Sequence, residues 1–268
     1  MPKVSIITPF YNGSQYIQKC IEGVQAQSFK DFEHIIVDDG SAESEHKFVS
    51  DIAVKYPGII FISQKNSGQA SAVNAGIKIA KGEYIAFCDQ DDWWSPEKLK
   101  TQVDFIETHS DVDLVYSDAL MADADGFILK ETWMQSRVVA PCVGGYKGCV
   151  VSLFNRNFIC APLVVLARRG IFSKIGLLNE KTVSVYDYDF WFRMLEAGCK
   201  FGYIDKPLAV WRTHAGQGSR KIRTIKRLQL RILLHFLFRR PDFFATHPVL
   251  ALKKLIKTSV GLMLGRTA

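Results

Sequence analysis

The acidic run Asp89-Gln90-Asp91-Asp92 closes the apolar stretch Tyr84-Ile-Ala-Phe-Cys88, and chemistry is easiest to read there. Two carboxylates on such a loop supply hard oxygen ligands for Mg²⁺ or Mn²⁺. Those ions keep waters and bridge substrate phosphates rather than sit in full protein cages. A lone Asp-x-Asp is common by chance. Here it is preceded by Asn66-Ser-Gly68, Asn74-Ala-Gly76 and Ala80-Lys-Gly82-Glu83. Two more polar clusters, Thr8-Pro9-Phe10-Tyr11-Asn12-Gly13 and Asp38-Asp39-Gly40-Ser41, close other apolar runs. Turns favour Asp, Asn and Gly for conformational reasons, so any one cluster is ambiguous. Three of them, each ending an apolar run, point to one polar rim.

Such a rim needs strands that end together. The first 116 residues alternate short apolar runs (4–7, 35–37, 59–62, 84–87, 114–116) with helical patterns at about 15–27, 43–55, 68–81 and 96–108. This alternation predicts an α/β protein with a mostly parallel central sheet flanked by helices. Ligands of such sheets bind beyond the carboxyl ends of the strands. From 117 to 211 the pattern is irregular, with a hairpin turn at Asp123-Ala-Asp-Gly126, a helix over 187–197 and a short strand over 201–204. A flexible Ala-Gly-Gln-Gly-Ser219 segment follows His214, and then come two helical patterns, 222–238 and 248–264. Pro248 suits the first position of the second, where its missing N–H costs nothing.

The bulk properties set limits. Apolar residues make up 48% and charged residues 23% of the 268, a globular balance with ample material for a core. No segment approaches the roughly 20 apolar residues of a spanning helix, and the apolar run after Lys3 is too short for a signal peptide. The six cysteines show neither a C-x-x-C pair nor zinc spacing, so they read as reduced core thiols of a cytoplasmic protein. The net charge of +7 is unevenly spread: residues 220–268 hold twelve Lys/Arg against Asp242, giving +11 and leaving −4 for 1–219. Nucleic acid and an anionic membrane surface are the two partners such a tail suits.

Residues 4–94 closely resemble the nucleotide-binding half of the family 2 glycosyltransferases, which have the GT-A fold. The resemblance runs through Val4-Ser-Ile-Ile-Thr-Pro-Phe-Tyr-Asn12, Gln27-Ser-Phe-Lys-Asp-Phe-Glu33 and Ile36-Val-Asp-Asp-Gly-Ser41. It continues through Asn66-Ser-Gly-Gln-Ala-Ser-Ala-Val-Asn-Ala-Gly76 and Gly82-Glu-Tyr-Ile-Ala-Phe-Cys-Asp-Gln-Asp-Asp-Trp93, in the family's order and spacing. It weakens but persists to about residue 219. It implies that Pro9, Tyr11 and Asp39 hold the nucleobase, that Asp89 faces the ribose or sugar, and that Asp91 binds a divalent cation, Mn²⁺ or Mg²⁺, on the diphosphate. Asn12, Asn66, Gly68 and Asn74 lie in the same motifs and are expected in the donor site.

Val185-Tyr-Asp187-Tyr-Asp189-Phe-Trp-Phe-Arg193 resembles the family's second acidic motif, with Tyr186 standing where a Glu is expected. By that resemblance Asp187 is the base for the acceptor hydroxyl, with Asp189 as the fallback. Either acid alone is equally a helix N-terminal cap. Trp211-Arg-Thr-His214 with Gln217-Gly-Ser219 resembles the closing element, which makes His214 a further metal ligand and Arg212 a phosphate contact. The implied activity is inverting transfer of a sugar from a UDP-linked donor to a saccharide or lipid-linked hydroxyl, in cell-surface polysaccharide synthesis. A sugar nucleotidyltransferase would start with a basic Gly-rich phosphate loop, and residues 8–13 hold no Lys or Arg. An inactive nucleotide-sugar binding or scaffold subunit would lack Asp91 or Asp187, and both are present.

The expected organisation is a catalytic domain over 1–219, split into a donor half (1–116) and an acceptor half (117–219), with a basic helical extension over 220–268. In that extension Ile222, Ile225, Leu228, Ile232 and Phe236 recur at helical spacing, interleaved with Arg223, Lys226, Arg227 and Arg231. This is the pattern of an in-plane helix on anionic lipid, and equally of a helix packed on the body with a solvated basic face. The first reading makes the protein peripheral at the inner face of the cell membrane, with no nucleic-acid partner.

Overall fold

The computed structural model describes residues 1–218 and 221–265. Ser219 and Arg220, where the expected domain boundary falls, lie outside the described residues. Four parallel strands open the fold: β1 (Val4–Phe10), β2 (Phe32–Asp38), β3 (Ile59–Ser63) and β4 (Tyr84–Phe87), in the spatial order β3-β2-β1-β4. They are joined by α1 (Ser14–Gln25), α2 (Glu43–Ala53) and α3 (Gln69–Ile79). Helices on both faces explain why β1 and β2 read as continuous apolar runs, with Val4, Ile6, Ile7, Ile35, Ile36 and Val37 fully buried. The inner face of α1 carries Ile17, Cys20, Ile21 and Val24 at i, i+3, i+4 and i+7. Gly76 lets α3 lie close on β1, since a Cβ there would stand 2.7 Å from Ile7 Cγ2.

Beyond β4 the sheet continues with strands of mixed direction. The two-residue β5 (Trp93–Trp94) leads into α4 (Lys98–Thr108), and β6 (Leu114–Ala122) turns back as β7 (Ile128–Thr132) across the expected hairpin. Asp123 Oδ1 holds that turn by accepting the N–H groups of Asp125 and Phe127. Next come α5 (Trp133–Arg137), α6 (Tyr146–Asn155), β8 (Val165–Arg168), α7 (Gly170–Ile175), α8 (Tyr186–Glu196) and β9 (Phe201–Arg212). β8 inserts antiparallel between β4 and β6, while β9 runs parallel to β6. β1, β2, β3, β4, β6 and β9 therefore point the same way, and their carboxyl ends share one edge. One sheet spans residues from both expected halves.

β9 is far longer than the expected 201–204 strand. The exposed stretch Asp205-Lys206-Pro207 interrupts its apolar pattern, yet pairing with β6 resumes after a shift of register and continues to Arg212.

The tail forms α9 (Ile222–Arg239), α10 (Pro241–Thr246) and α11 (Pro248–Leu264). The stripe expected to lie on lipid is packed against the body instead: Leu228, Ile232 and Phe236 are buried. The reason is an aromatic surface that would otherwise be bare. Phe236 sits 4.7 Å from Phe192 of α8, 5.8 Å from Phe154 of α6 and 5.1 Å from Phe243 of α10, measured between ring centroids. Arg239 pairs with Glu196 at 2.8 Å, and Arg240 lies 4.0 Å over the Tyr146 ring. Among the described residues no helix is long and apolar enough to cross a membrane.

Candidate active site

The pairing of β5 with β9 organises the acidic loop. Trp93 opposes Val210 and Trp94 opposes Ala209, so the chain leaving β9 passes directly over Asp89–Asp92. The buried Asp92 accepts the backbone N–H of Arg212 at 2.9 Å. The Arg212 guanidinium lies 4.9 Å from the Tyr16 ring and 5.0 Å from the Trp93 ring, while its Nε donates to Asp91 O and its Nη1 to Ala124 O. Arg212, expected to contact phosphate, also has a bracing role. It is buried, two of its nitrogens are bound to backbone carbonyls, and it locks the loop to the closing strand. With that brace in place, His214 Nε2 stands 2.9 Å from Asp91 Oδ2, across 123 residues of chain. Tyr16 also packs against the imidazole at 4.8 Å.

Two more carboxylates face this pair. Asp89, partly buried, accepts Gln69 Nε2 at 2.9 Å. Burial and then the charge of Asp91 push its carboxyl up to about 7, with the Gln69 bond opposing and Asp187 adding to the rise. Asp187, in the first turn of α8, is pushed up to about 6 by burial, against the pull of backbone N–H groups at the helix start. No side chain among the described residues bonds its carboxylate. Asp189 differs: it is buried and bonded to Arg193 Nε at 2.9 Å, and Arg193 also donates to Ile175 O and Leu177 O. The fallback base is thus committed to an ion pair, and Asp187 is the free one. Tyr186 is buried beneath these acids, and burial together with their charges raises its phenol well above the usual range.

The donor rim is largely bonded to itself. Asp39 Oδ1 accepts Gln64 Nε2 and the Ser67 N–H, and Oδ2 accepts the Gly68 N–H, each at 2.8 Å. A carboxylate has about four acceptor positions, so Asp39 can take one more N–H. Asn12 is left-handed (φ 45°), a conformation Asn tolerates, and ties two loops by accepting the Ala42 N–H while its own N–H donates to Ser41 Oγ. The backbone of Tyr11 is clamped on both sides by the Gln90 amide, and the residue is 48% exposed at the rim. Pro9 lies in β1 beyond the residues paired with β4. Asn66 is exposed on the adjacent loop, packed so closely on Gly40 (φ +70°) that a Cβ there would meet its N at 2.6 Å.

Asn74 does not reach this rim. It is buried, its Nδ2 donates to Leu178 O and Glu180 Oε1, and its Oδ1 accepts the Leu178 N–H. Every polar atom of its side chain staples α3 to the segment before α8, so it leaves the donor set. Gln27 and Glu33, also in the motifs, are scaffold residues. Gln27 bonds Ser95 O and the Leu99 N–H, and Glu33 bonds Ser5 Oγ and the Lys81 N–H.

The residues present fit a divalent cation held jointly with substrate. Among the described residues no three or more His, Cys, Asp or Glu side chains gather as a complete cage. Asp91 and His214 would offer one oxygen and one nitrogen to such an ion, and Mg²⁺ and Mn²⁺ commonly complete their shells with substrate phosphates and water. The residues that aim this pair were not singled out from sequence. Tyr16 packs on His214 from outside the quoted motifs, while Trp93, beside Arg212, and Gln69, bonded to the neighbouring Asp89, lie inside them without a role of their own being read.

The glycosyl transferase family 2 model matches residues 5–176. An uncharacterized glycosyltransferase of Rickettsia felis is 30% identical over 223 residues, covering 82% of this chain and 36% of that protein, so the chain spans about a third of this relative. The structure is similar to Staphylococcus aureus TarS 1–349 in complex with UDP-GlcNAc (TM-score 0.64, 19% identity, 96% of this chain and 79% of that one). It is also similar to the mannosyltransferase PcManGT of Pyrobaculum calidifontis in complex with GDP-Man and Mn²⁺ (TM-score 0.66, 16% identity, 100% and 76%). The sheet order, the strand-end acidic loop and the matched residues agree: this chain has the GT-A fold and belongs to glycosyl transferase family 2.

Proposed function

We propose that the protein transfers a sugar, with inversion, from a UDP-linked donor to a hydroxyl of a saccharide or lipid-linked acceptor in cell-surface polysaccharide synthesis. The observation that carries this reading is the meeting of Asp91 and His214 beside Asp89, with Asp187, which has no side-chain partner among the described residues, close to Asp89. Residues 1–116 would hold the donor and 117–219 the acceptor. The family relationship and the nucleotide-sugars named in the TarS and PcManGT complexes support the donor class.

The acceptor hydroxyl gives its proton to Asp187 as its oxygen bonds to the anomeric carbon, and the bond from that carbon to the nucleoside diphosphate breaks. A carboxylate whose pKa is lifted to about 6 is still ionised at neutral pH and is a stronger base than an ordinary one. Asp91 and His214 would hold a divalent cation, which when bound neutralises charge on the departing diphosphate. Tyr11 and Asp39 would receive the base, Asp39 through its remaining acceptor position. Asn12, Asn66 and Gly68 would shape that pocket through the backbone, and Asp89, anchored by Gln69, would face the ribose or sugar. The basic tail would keep the enzyme beside a lipid-borne acceptor at the inner face of the membrane.

The test is hydrolysis of a panel of UDP- and GDP-sugars with Mn²⁺ or Mg²⁺, followed by transfer to candidate acceptors. Turnover of at least one donor is expected, and it should stop in EDTA and return with metal. Full turnover in EDTA would overturn the metal assignment. Failure of every nucleotide-sugar to bind or turn over would overturn the enzyme reading.

A further inference from the structure

Among the tail helices α11 has an unusual distribution of apolar residues. Its inner side is packed on α9 and α6, with Ala251, Thr258 and Gly261 buried. At 100° per residue, Val249, Leu252, Ile256, Val260 and Met263 fall together on the opposite side, and all five are exposed, Ile256 by 62% and Met263 by 77%. A helix apolar on both sides belongs between two layers, and here the protein supplies one.

The charge beside this stripe indicates what the other layer is. Lys253 and Lys257, both exposed, run along one border of it. Lys254 donates to Asn155 O at 2.6 Å, which brings α11 next to Arg156. Lys226 of α9 completes the group: burial and then the charges of Lys257 and Arg156 depress its ammonium, and Lys254 is lowered to about 8 by burial and then by Lys226, Lys257 and Arg156. No carboxylate among the described residues pairs with any of these bases. Four cations gathered without a counter-charge repel one another, and an anionic surface relieves that repulsion. The outward side of α9 repeats the pattern, with exposed Arg223, Arg227 and Arg231 in line with exposed Leu234 and Phe238.

We propose that the outer face of α11, with the exposed Lys253 and Lys257 along its border and the unpaired Arg156, Lys226 and Lys254 behind that border, is seated on an anionic lipid bilayer, its apolar stripe in the acyl boundary and its exposed bases at the headgroups. This deepens the membrane side of the function proposed above. It moves the lipid-facing element from the stripe of α9, which is core, to α11.

The test uses the full chain and vesicles of phosphatidylglycerol with phosphatidylcholine, against phosphatidylcholine alone. The wild type should sediment with the anionic vesicles and much less with the neutral ones. Ile256→Glu with Met263→Glu should lower the partition coefficient about tenfold or more. Lys253→Gln with Lys257→Gln should lower it about fivefold per lysine, and added salt should erase that difference. All these positions are exposed, so circular dichroism and donor turnover in the absence of vesicles should match wild type. Wild-type indifference to anionic vesicles, or acidic variants that bind as well as wild type, would overturn the proposal. So would loss of a self-associated form in the Glu variants without any vesicle effect, which makes the face a contact between copies. If vesicle binding follows the expected pattern while no donor is turned over by any form, the transfer reading fails and the docking face stands.

Discussion

The polar rim around Asp39 and the first turn of α8 are built on opposite plans. On the rim, Asp38, Asp39, Asn12, Gln64 and Gln90 are bonded to neighbouring loops and to His46 of α2, so the polar groups that would receive the nucleotide are held before it arrives. At the helix, Asp187 carries a carboxylate with no side-chain partner, while Asp189 two residues on is tied to Arg193. Preorganisation suits a group that must recognise a fixed shape. A group that must take a proton needs the reverse, an unspent lone pair and a raised pKa. On the proposed function, the two plans would separate binding from proton transfer.

The largest test of this contrast is Asp91→Ala. If the pair with His214 holds the cation on the diphosphate, turnover should fall by about 10⁴-fold, the effect of losing several kcal/mol of charge stabilisation. The fold should survive, since Asp91 is partly exposed and, among the described residues, its carboxylate bonds only His214. Asp187→Asn should then cost ~10²–10⁴ in transfer, with donor affinity, read by titration calorimetry, nearly unchanged. Asp189→Asn sharpens that comparison, because it should cost about 2–3 kcal/mol of stability in denaturant melts and leave turnover per folded molecule close to wild type. A large loss of turnover in Asp189→Asn, with little in Asp187→Asn, would reverse the assignment of base and brace.

The pH profile gives a smaller, graded effect. Since Asp187 must be ionised and its carboxyl is pushed up to about 6, transfer at saturating donor should drop about tenfold per unit as pH falls below 6. A limb near pH 4 would mean that burial does not raise this carboxyl. Smallest is Asn74→Ala, which removes bonds to Leu178 and Glu180 and should lower stability by about 1–3 kcal/mol. Its donor KM should stay at the wild-type value. A selective rise in KM would return Asn74 to the donor rim.

Much of the first sheet could be read from the chain because each strand there is buried on both faces and each helix covers it with one apolar side. Both patterns are local, so β1 to β4 and α1 to α3 follow from spacing alone. The acidic loop was equally visible, since strand-end turns draw on a small set of residues. The tail was half legible: helical periodicity found α9 and α11, but an apolar stripe looks the same whether it meets lipid or Phe154, Phe192 and Phe243.

By itself, then, the sequence determined the α/β class, the strand ends that carry the polar rim, and the family motifs within 4–94. Tertiary structure decided what each of those residues bonds. Asn74 and Arg212 lie in motifs as plainly as Asp39 and Asp91, yet their polar atoms go to Leu178 and Glu180, or to Asp91 O and Ala124 O. Asp187 and Asp189 are near-equivalent in sequence, and only the reach of Arg193, set by the packing of α8 on α7, separates them. The meeting of Asp91 with His214 depends on β5 pairing with β9 across more than a hundred residues. Hydrogen-bond partners of that kind are matters of distance in space, and a local pattern holds no record of them.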